Sequence, residues 1–493
     1  MSSQLLLAID AGTTGVRALL YGASASPVAA AYQEFKQYYP RPGWVEHDAE
    51  EIVRVTQQVI RKALSASRRP ASLVKAIGIT NQRETTVLWD CKSGRALHRA
   101  IVWQDRRTAP LCETLKKEGH EAVFRKRTGL VLDPYFSGTK IEWLLRNLQL
   151  KQKAKTGKVL FGTIDTWLLW HLTGGSSHAT DVTNASRTLL YNIQKLTWDR
   201  DLLELLNIPA AMLPKLLHSG DCFGKTAGGG ALPAGIPVFA MLGDQQAALY
   251  GQACYQKGTS KNTYGTGCFV VIHAGNHYQA PPPGLLTTIA CDAAGGPAYA
   301  FEGSIFIAGA GIQWLRDGLR FFEKAAETQK IAMSVADTGG VTVIPAFVGL
   351  GSPYWNPHAR GMISGLTRGT TRAHIVRATL EALAHQTADV VDAALKKAKT
   401  PIRFLKADGG ATANDFLMQF QADILQRPVL VSHCKESTAW GAAKLAGIRS
   451  GFWRSREVLD KKMRYRKYVP RKSRLQVQRL REVWSREIAR VQV

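Results

Sequence analysis

Residues 5–21 read LLLAIDAGTTGVRALLY. An apolar run ends at Asp10, a Gly/Thr turn follows, and a second apolar run begins at Val16. The pattern predicts a β-hairpin. Gly12 lets the turn pass close to a bound group, and Thr13 and Thr14 supply hydroxyl and N–H donors suited to phosphate oxygens. Arg17 adds a fixed positive charge, and Asp10, at a strand end, is placed to hold hydrated Mg²⁺. Residues 261–275, KNTYGTGCFVVIHAG, again set a Gly/Thr turn before an apolar strand. One such hairpin per half predicts two related lobes around a shared cleft, residues 1–251 and 252–493.

Other segments add chemistry to this frame. In GDQQAALYGQ (243–252), Asp244 follows the apolar run IPVFAML. A carboxylate at a strand end can act as general base or metal partner; as an N-cap it would instead start a helix at Gln245. In ITNQRETT (79–86), Arg83 beside Glu84 pairs donor and acceptor, which suits a polyhydroxy ligand. The same two residues also read as an internal salt bridge. Trp103, in IVWQDRR, reads as core or as a wall for a short carbon chain. KADGGATANDF (406–416) reads as strand, double-Gly turn and helix, an arrangement that faces nucleotides in α/β proteins. Asp48 with Glu51 predicts a capping box for a helix through about Leu64. Thr371 opens a helix with Val376, Leu380, Leu383, Thr387 and Val390 on one face. Together these elements predict an α/β architecture and phosphoryl transfer from a nucleotide to a hydroxyl. No GxxxxGK[ST] segment is present, which disfavours the P-loop class.

The chain has 493 residues, with 64 Lys+Arg against 38 Asp+Glu, a formal net charge of +26. An apolar content of 45% and a charged content of 21% exclude intrinsic disorder, collagen and a disulfide-stapled miniprotein. No apolar run reaches the ~18 residues of a membrane span, so no integral membrane association is expected. The opening MSSQLLLAID lacks a basic leader and reads as no secretory signal. Seven scattered Cys without a CxxC pair argue against disulfides and structural zinc, and the expected compartment is the cytoplasm. The charge invites nucleic acid, anionic membrane or polyphosphate. It also fits a host whose proteins are generally basic, and that reading is taken, with no nucleic-acid partner expected. From Gly451 onward there are 14 Lys/Arg against 4 Asp/Glu. There, Val477, Leu480, Trp484, Ile488 and Val491 recur at helical spacing, predicting a terminal helix with a basic outer face.

The segments AIDAGTTGVRALLY, ITNQRETTVLWD, AIVWQDRR, LGDQQAALYGQ, NTYGTGCF, GLGSPYW and ADGGATANDFLMQFQADIL resemble the FGGY family of carbohydrate kinases over about residues 5–447. NQRETT and GLGSPYW are similar to members acting on glycerol rather than on pentuloses or gluconate. The resemblance implies an α/β fold of two actin-like (ribonuclease-H-like) ATPase domains flanking a central cleft for nucleotide and substrate. It implies ATP, Mg²⁺ and glycerol, with sn-glycerol 3-phosphate as product. Carried over by motif, Arg83, Glu84, Tyr135, Asp244 and Gln245 would bind glycerol hydroxyls, Trp103 and Phe269 would pack on its carbons, and Asp244 would be the base. Thr13, Thr14, Arg17, Thr266, Gly309, Gln313, Gly410 and Asn414 would contact the nucleotide, while Asp10 and Asp244 would hold the metal. Analogy adds a homo-oligomer, dimer or tetramer. The alternatives are another FGGY kinase acting on a pentulose or polyol, or a basic-surface binding protein. Residues 220–243 contain no Arg. Members regulated by fructose 1,6-bisphosphate carry one there, so that regulation does not carry over.

Overall fold

The computed structural model describes residues 4–398 and 401–492. Two mixed sheets dominate it. The first has the order Gly224–Ala227, Ala234–Gly243, Val74–Asn81, Leu5–Ala11, Gly15–Tyr21, Pro27–Glu34. Ala234–Gly243, Val74–Asn81 and Leu5–Ala11 run parallel. Central parallel strands are covered on both faces and so are apolar almost without a break; residues 5–9 are all buried. The hairpin pairs antiparallel, with Asp10 opposite Arg17.

The second sheet has the order Leu286–Cys291, Pro297–Ile305, Cys268–Gly275, Ser260–Tyr264, Leu405–Asp408, Val429–Ser432, Tyr465–Tyr468. It repeats the scheme of an antiparallel hairpin flanked by two parallel strands. The copies differ on the hairpin's outer side. In the first sheet the next strand of the chain pairs there. In the second, Pro297–Ile305 takes that place and Leu286–Cys291 is added at the edge.

The lobes exchange helices. Asp244–Gly251 continues from the first sheet, yet its Leu249 packs with Val271, Ala290 and Ala300 of the second. Ser437–Arg449 follows a strand of the second sheet, yet Ala439, Ala442, Ala443 and Ala446 pack with Leu6, Ala8 and Ala76 of the first. The two helices cross at backbone contact. A Cβ on Gly441 would lie 1.9 Å from the Ala247 carbonyl oxygen, and one on Gly251 2.2 Å from that of Ser437. A Cβ on Gly78 would lie 2.4 Å from the Ala442 carbonyl oxygen, which brings Ser437–Arg449 down onto the sheet.

Local expectations are met with adjustments. The first long helix, Ala49–Ser67, runs beyond Leu64 to a left-handed Arg68. Its capping is one-sided. Asp48 accepts from the Glu50 and Glu51 N–H groups, but no reciprocal bond from the Glu51 side chain forms, and Glu50 instead accepts from the Ala96 N–H. Arg372–Ala398 begins where Thr371 predicts and buries the named face. Arg474–Ala489 is the terminal helix, with Val477, Trp484 and Ile488 buried and a full capping box between Ser473 and Gln476. Asp389 of the long helix accepts from Trp484 Nε1 at 2.8 Å and pairs with Arg481 at 2.6 Å. Much of the basic tail is therefore a structural strap.

Gly441→Ala is expected to lower the unfolding free energy by about 1–3 kcal/mol, because the methyl must push apart two packed backbones. Urea unfolding measures it, and wild-type stability would show that the crossing is loose.

Candidate active site

The parallel strands of the first sheet end at one edge, with Ala11, Asn81 and Gly243 in register. Ligands of open α/β sheets bind beyond such carboxyl ends. Asp10, Arg83, Glu84 and Asp244 all lie there. The second sheet presents the turn around Gly265–Gly267 and the Gly409 turn opposite them. Gly409 has φ +92°, and a Cβ there would lie 2.4 Å from the Tyr264 carbonyl oxygen, so the two turns touch.

A cavity of about 140 Å³ is lined by Arg83, Glu84, Trp103, Tyr135, Asp244, Gln245 and Phe269, together with Thr13, Thr263 and the Gly265–Gly267 turn. It is small beside the roughly 300–1,000 Å³ of ordinary ligand pockets. Trp103 and Phe269 stand 6.2 Å apart between ring centroids and Trp103 and Tyr135 5.6 Å apart, which gives the cavity aromatic walls. Trp103 is pinned by its Nε1, which donates to Thr13 Oγ1 at 2.9 Å.

The polar end is built on a buried four-charge network. Arg83 donates to both oxygens of Glu302, at 2.5 and 3.0 Å. Arg187 donates to Glu302 at 2.9 Å and to Glu84 at 2.6 Å. All four side chains are at most 2% exposed. Burial acts against the ionised form of Glu302, but Arg187 and Arg83 hold it down at about 2. Burial raises Glu84 above the usual carboxylate range, with both arginines opposing. Glu84 also sits at φ +61°, costly for a non-glycine residue. Ser137 and Thr86 fix its carbonyl by donating to it at 2.9 and 3.1 Å.

Arg83 Nε lies 3.3 Å from Asp244 Oδ1. A Cβ at position 243 would come within 2.6 Å of Arg83 Cδ, so a glycine there gives the arginine its path. Asp244 is itself the first residue of its helix, with Gly243 as N-cap, so the N-cap alternative is replaced by a carboxylate at the cleft. Burial raises its pKa, opposed by Arg83 and Lys261.

A second cavity, about 490 Å³, shares Gly265 and Thr266 with the first. Gly309, Gln313, Gly410 and Asn414 line it too, so these four and Thr266 are brought together. Gly309 N donates to the Gly265 carbonyl at 2.9 Å, seating the turn on helix Gly309–Asp317. Arg316, Thr328 and Gln329 also line this cavity.

Residues 5–251 match the N-terminal domain, and residues 260–450 the C-terminal domain, of the FGGY family of carbohydrate kinases. The chain belongs to this family. It is 51% identical to glycerol kinase 2 of Thermotoga maritima over 98% of each chain, and 50% identical to glycerol kinase of Haemophilus influenzae over 98% of this chain and 97% of that one. A solved structure of Plasmodium falciparum glycerol kinase with ADP superposes with a TM-score of 0.92 at 34% identity, covering 99% of this chain and 98% of that one. A gluconate kinase from Lactobacillus acidophilus, at 21% identity and TM-score 0.89, shares the fold.

In this FGGY kinase three expected phosphate contacts lie apart from the larger cavity. Thr13 lines the small one. Thr14 is 3.3 Å from the Tyr32 hydroxyl, and Arg17 is ion-paired with Glu436 of the opposite lobe. The charge expected to be free for phosphate is thus matched by a carboxylate. Asn414 is engaged as a helix cap, accepting from Leu417 N at 3.0 Å and donating to Thr328 at 3.1 Å. The salt-bridge reading of Arg83 with Glu84 holds weakly, at 3.7 Å, because the stronger partners are Glu302 and Arg187. Those two were missed. Their signal was a lone acid within the apolar strand PAYAFEGSI and a lone base in TNASRTLL.

Glu302→Gln is expected to cost about 3–5 kcal/mol of stability at pH 7, since two buried guanidinium groups lose their shared counter-ion. The Glu302 pKa lies below its unfolded value of about 4.3, so its contribution is complete above that value and is lost as pH falls toward about 2. The stability gap between wild type and variant, from urea unfolding, should narrow from pH 5 to pH 3. A constant gap would show that Glu302 is not the ionised partner.

Proposed function

We propose that this kinase transfers the γ-phosphoryl group of ATP to glycerol, forming ADP and sn-glycerol 3-phosphate. The observation that carries the reading is the 140 Å³ cavity, with acid, base and aromatic walls, which shares Gly265 and Thr266 of its lining with the larger cavity. Three carbons between Trp103 and Phe269 leave hydroxyls for Arg83, Glu84, Tyr135, Asp244 and Gln245. A pentulose needs more room. The about 50% identical glycerol kinases support the same acceptor.

Phosphoryl transfer depends mainly on positioning and charge stabilisation. Arg83 and Glu84 hold the acceptor, and Asp244 takes the hydroxyl proton as bonding to phosphorus develops. Thr266, Gly309, Gln313, Gly410 and Asn414 bind the nucleotide, with Thr13, Thr14 and Arg17 reaching its phosphates when the lobes close and Arg17 is released from Glu436. Closure also excludes water, a competing acceptor. Mg²⁺ fits Asp10 and Asp244. Burial pushes Asp10 up to about 7; Arg17 opposes the rise, while the carboxylates of Asp244 and Glu436 add to it, so a cation there would restore its charge. Among the described residues no three His, Cys, Asp or Glu converge as a metal cage, and Mg²⁺ needs only one or two carboxylates plus phosphate oxygens. When bound it would neutralise charge on the β- and γ-oxygens.

Among the described residues no helix is long and apolar enough to cross a membrane. A homo-oligomeric state, by family analogy, a cytoplasmic location, from the sparse unpaired cysteines, and the absence of a nucleic-acid partner, from reading the charge as that of a generally basic host, are part of the same proposal.

Coupled ADP release with Mg-ATP should show glycerol far ahead of dihydroxyacetone, xylulose, ribulose and gluconate. A sugar preference would overturn the acceptor assignment. Asp244→Asn should cut kcat by about 10²–10⁴-fold while glycerol binding changes little; near-normal turnover would remove Asp244 as the base.

A further inference from the structure

Lys261 has no role in the mechanism above. Its side chain is fully buried on strand Ser260–Tyr264. Its ammonium donates to Gln245 Oε1 and, at 2.8 Å, to Thr263 Oγ1. Both acceptors line the small cavity, whereas Lys261 does not. No salt bridge to Lys261 forms among the described residues. Its charge is instead supported at longer range by Asp408, Asp244 and Glu302, against burial and Arg83. Burial brings it down to about 8, which leaves it a cation at neutral pH.

The chemistry of this contact fixes the orientation of an amide. An ammonium has three donors and no acceptor, so only the oxygen of the Gln245 side chain can face it. The amide nitrogen is then turned away from Lys261, and Gln245 is otherwise a cavity-lining residue next to Asp244.

We propose that Lys261 is a positioning residue for the acceptor site: it holds the Gln245 amide so that Nε2 donates to a substrate hydroxyl oxygen. The cavity then meets the acceptor with one fixed amide donor at Gln245 and one proton acceptor at Asp244, side by side on the first turn of one helix. An amide free to flip would present its oxygen half the time, and that oxygen would repel the same lone pairs. The inference rests on the small cavity's being the glycerol site.

The test compares Lys261→Met, Lys261→Arg, Gln245→Leu, Gln245→Glu and the double variant Lys261→Met/Gln245→Leu, with KM for glycerol and for ATP measured separately. Lys261→Met should raise KM for glycerol about tenfold and move KM for ATP less than twofold. Lys261→Arg, which keeps a donor-only cation, should recover most of the loss. In the Gln245→Leu background Lys261→Met should add little, since the amide it orients is gone. Additive losses, or equal rises in both KM values, would mark Lys261 as merely structural. Gln245→Glu keeps the pairing with Lys261 but removes the donor, so its KM for glycerol should rise as far as that of Gln245→Leu. A wild-type KM in Gln245→Glu would mean that Gln245 accepts from the substrate, and would overturn the proposal even if Lys261→Met fails to fold. Absence of glycerol-dependent turnover in the wild type would overturn the site reading itself. Normal wild-type turnover with an unchanged KM in Lys261→Met would overturn only this inference.

Discussion

Arg83 is the group on which the site depends. Its two terminal nitrogens are held by Glu302, from the far lobe, and its Nε stands 3.3 Å from Asp244. One rigid, planar cation therefore sets the distance between the second sheet and the proposed base on the first. The planar fork matters, because a lysine could not hold a bidentate carboxylate and a third oxygen in one plane. Buried ion pairs stabilise a fold only weakly after desolvation. Here the network's value lies in geometry. Arg187 completes it by pulling Glu84 to the same point, and the left-handed backbone at Glu84 is tolerated because its carbonyl and carboxylate are both fixed.

The helix exchange gives that network its frame. Each lobe contributes a helix to the other lobe's sheet, and the pair cross with no side chain between them. Asp244 sits at the start of one of these helices, Glu436 immediately before the other. Rocking of one lobe on the other about this crossing would move the base and the Arg17–Glu436 pair together. That coupling suits a reaction in which the nucleotide's arrival must close the cleft before phosphoryl transfer begins.

The basic tail has a quieter explanation than its charge suggests. Arg481 is tied to Asp389 and Asp392, Trp484 donates to Asp389, and the His385 and Trp484 rings stack at 5.0 Å. The arginines on the opposite face of that helix, Arg479 and Arg486 among them, are exposed. They account for part of the net charge.

Both hairpins, the strand-end Asp244 and the double-Gly turn were legible in the sequence, because each is a local pattern: an apolar run, a turn with Gly or Thr, and a polar residue at a fixed step. Local pattern left Trp103 open between core and wall, and Tyr135 and Phe269 came only from the family motifs. Family motifs added which of these residues meet. Glu302 and Arg187 were not legible. Their partners lie more than 100 residues away, and a charge inside an apolar strand looks anomalous until the opposite charge arrives from another lobe. The exchange of helices escaped for the same reason, since an alanine-rich helix reads alike whichever sheet it covers. Arg17 shows the converse: its local setting suits phosphate, yet the fold supplies Glu436 as its counter-ion. Short-range pattern therefore assigned the elements and most of the cavity lining, while long-range charge pairing and backbone contact at glycine set how the two lobes meet.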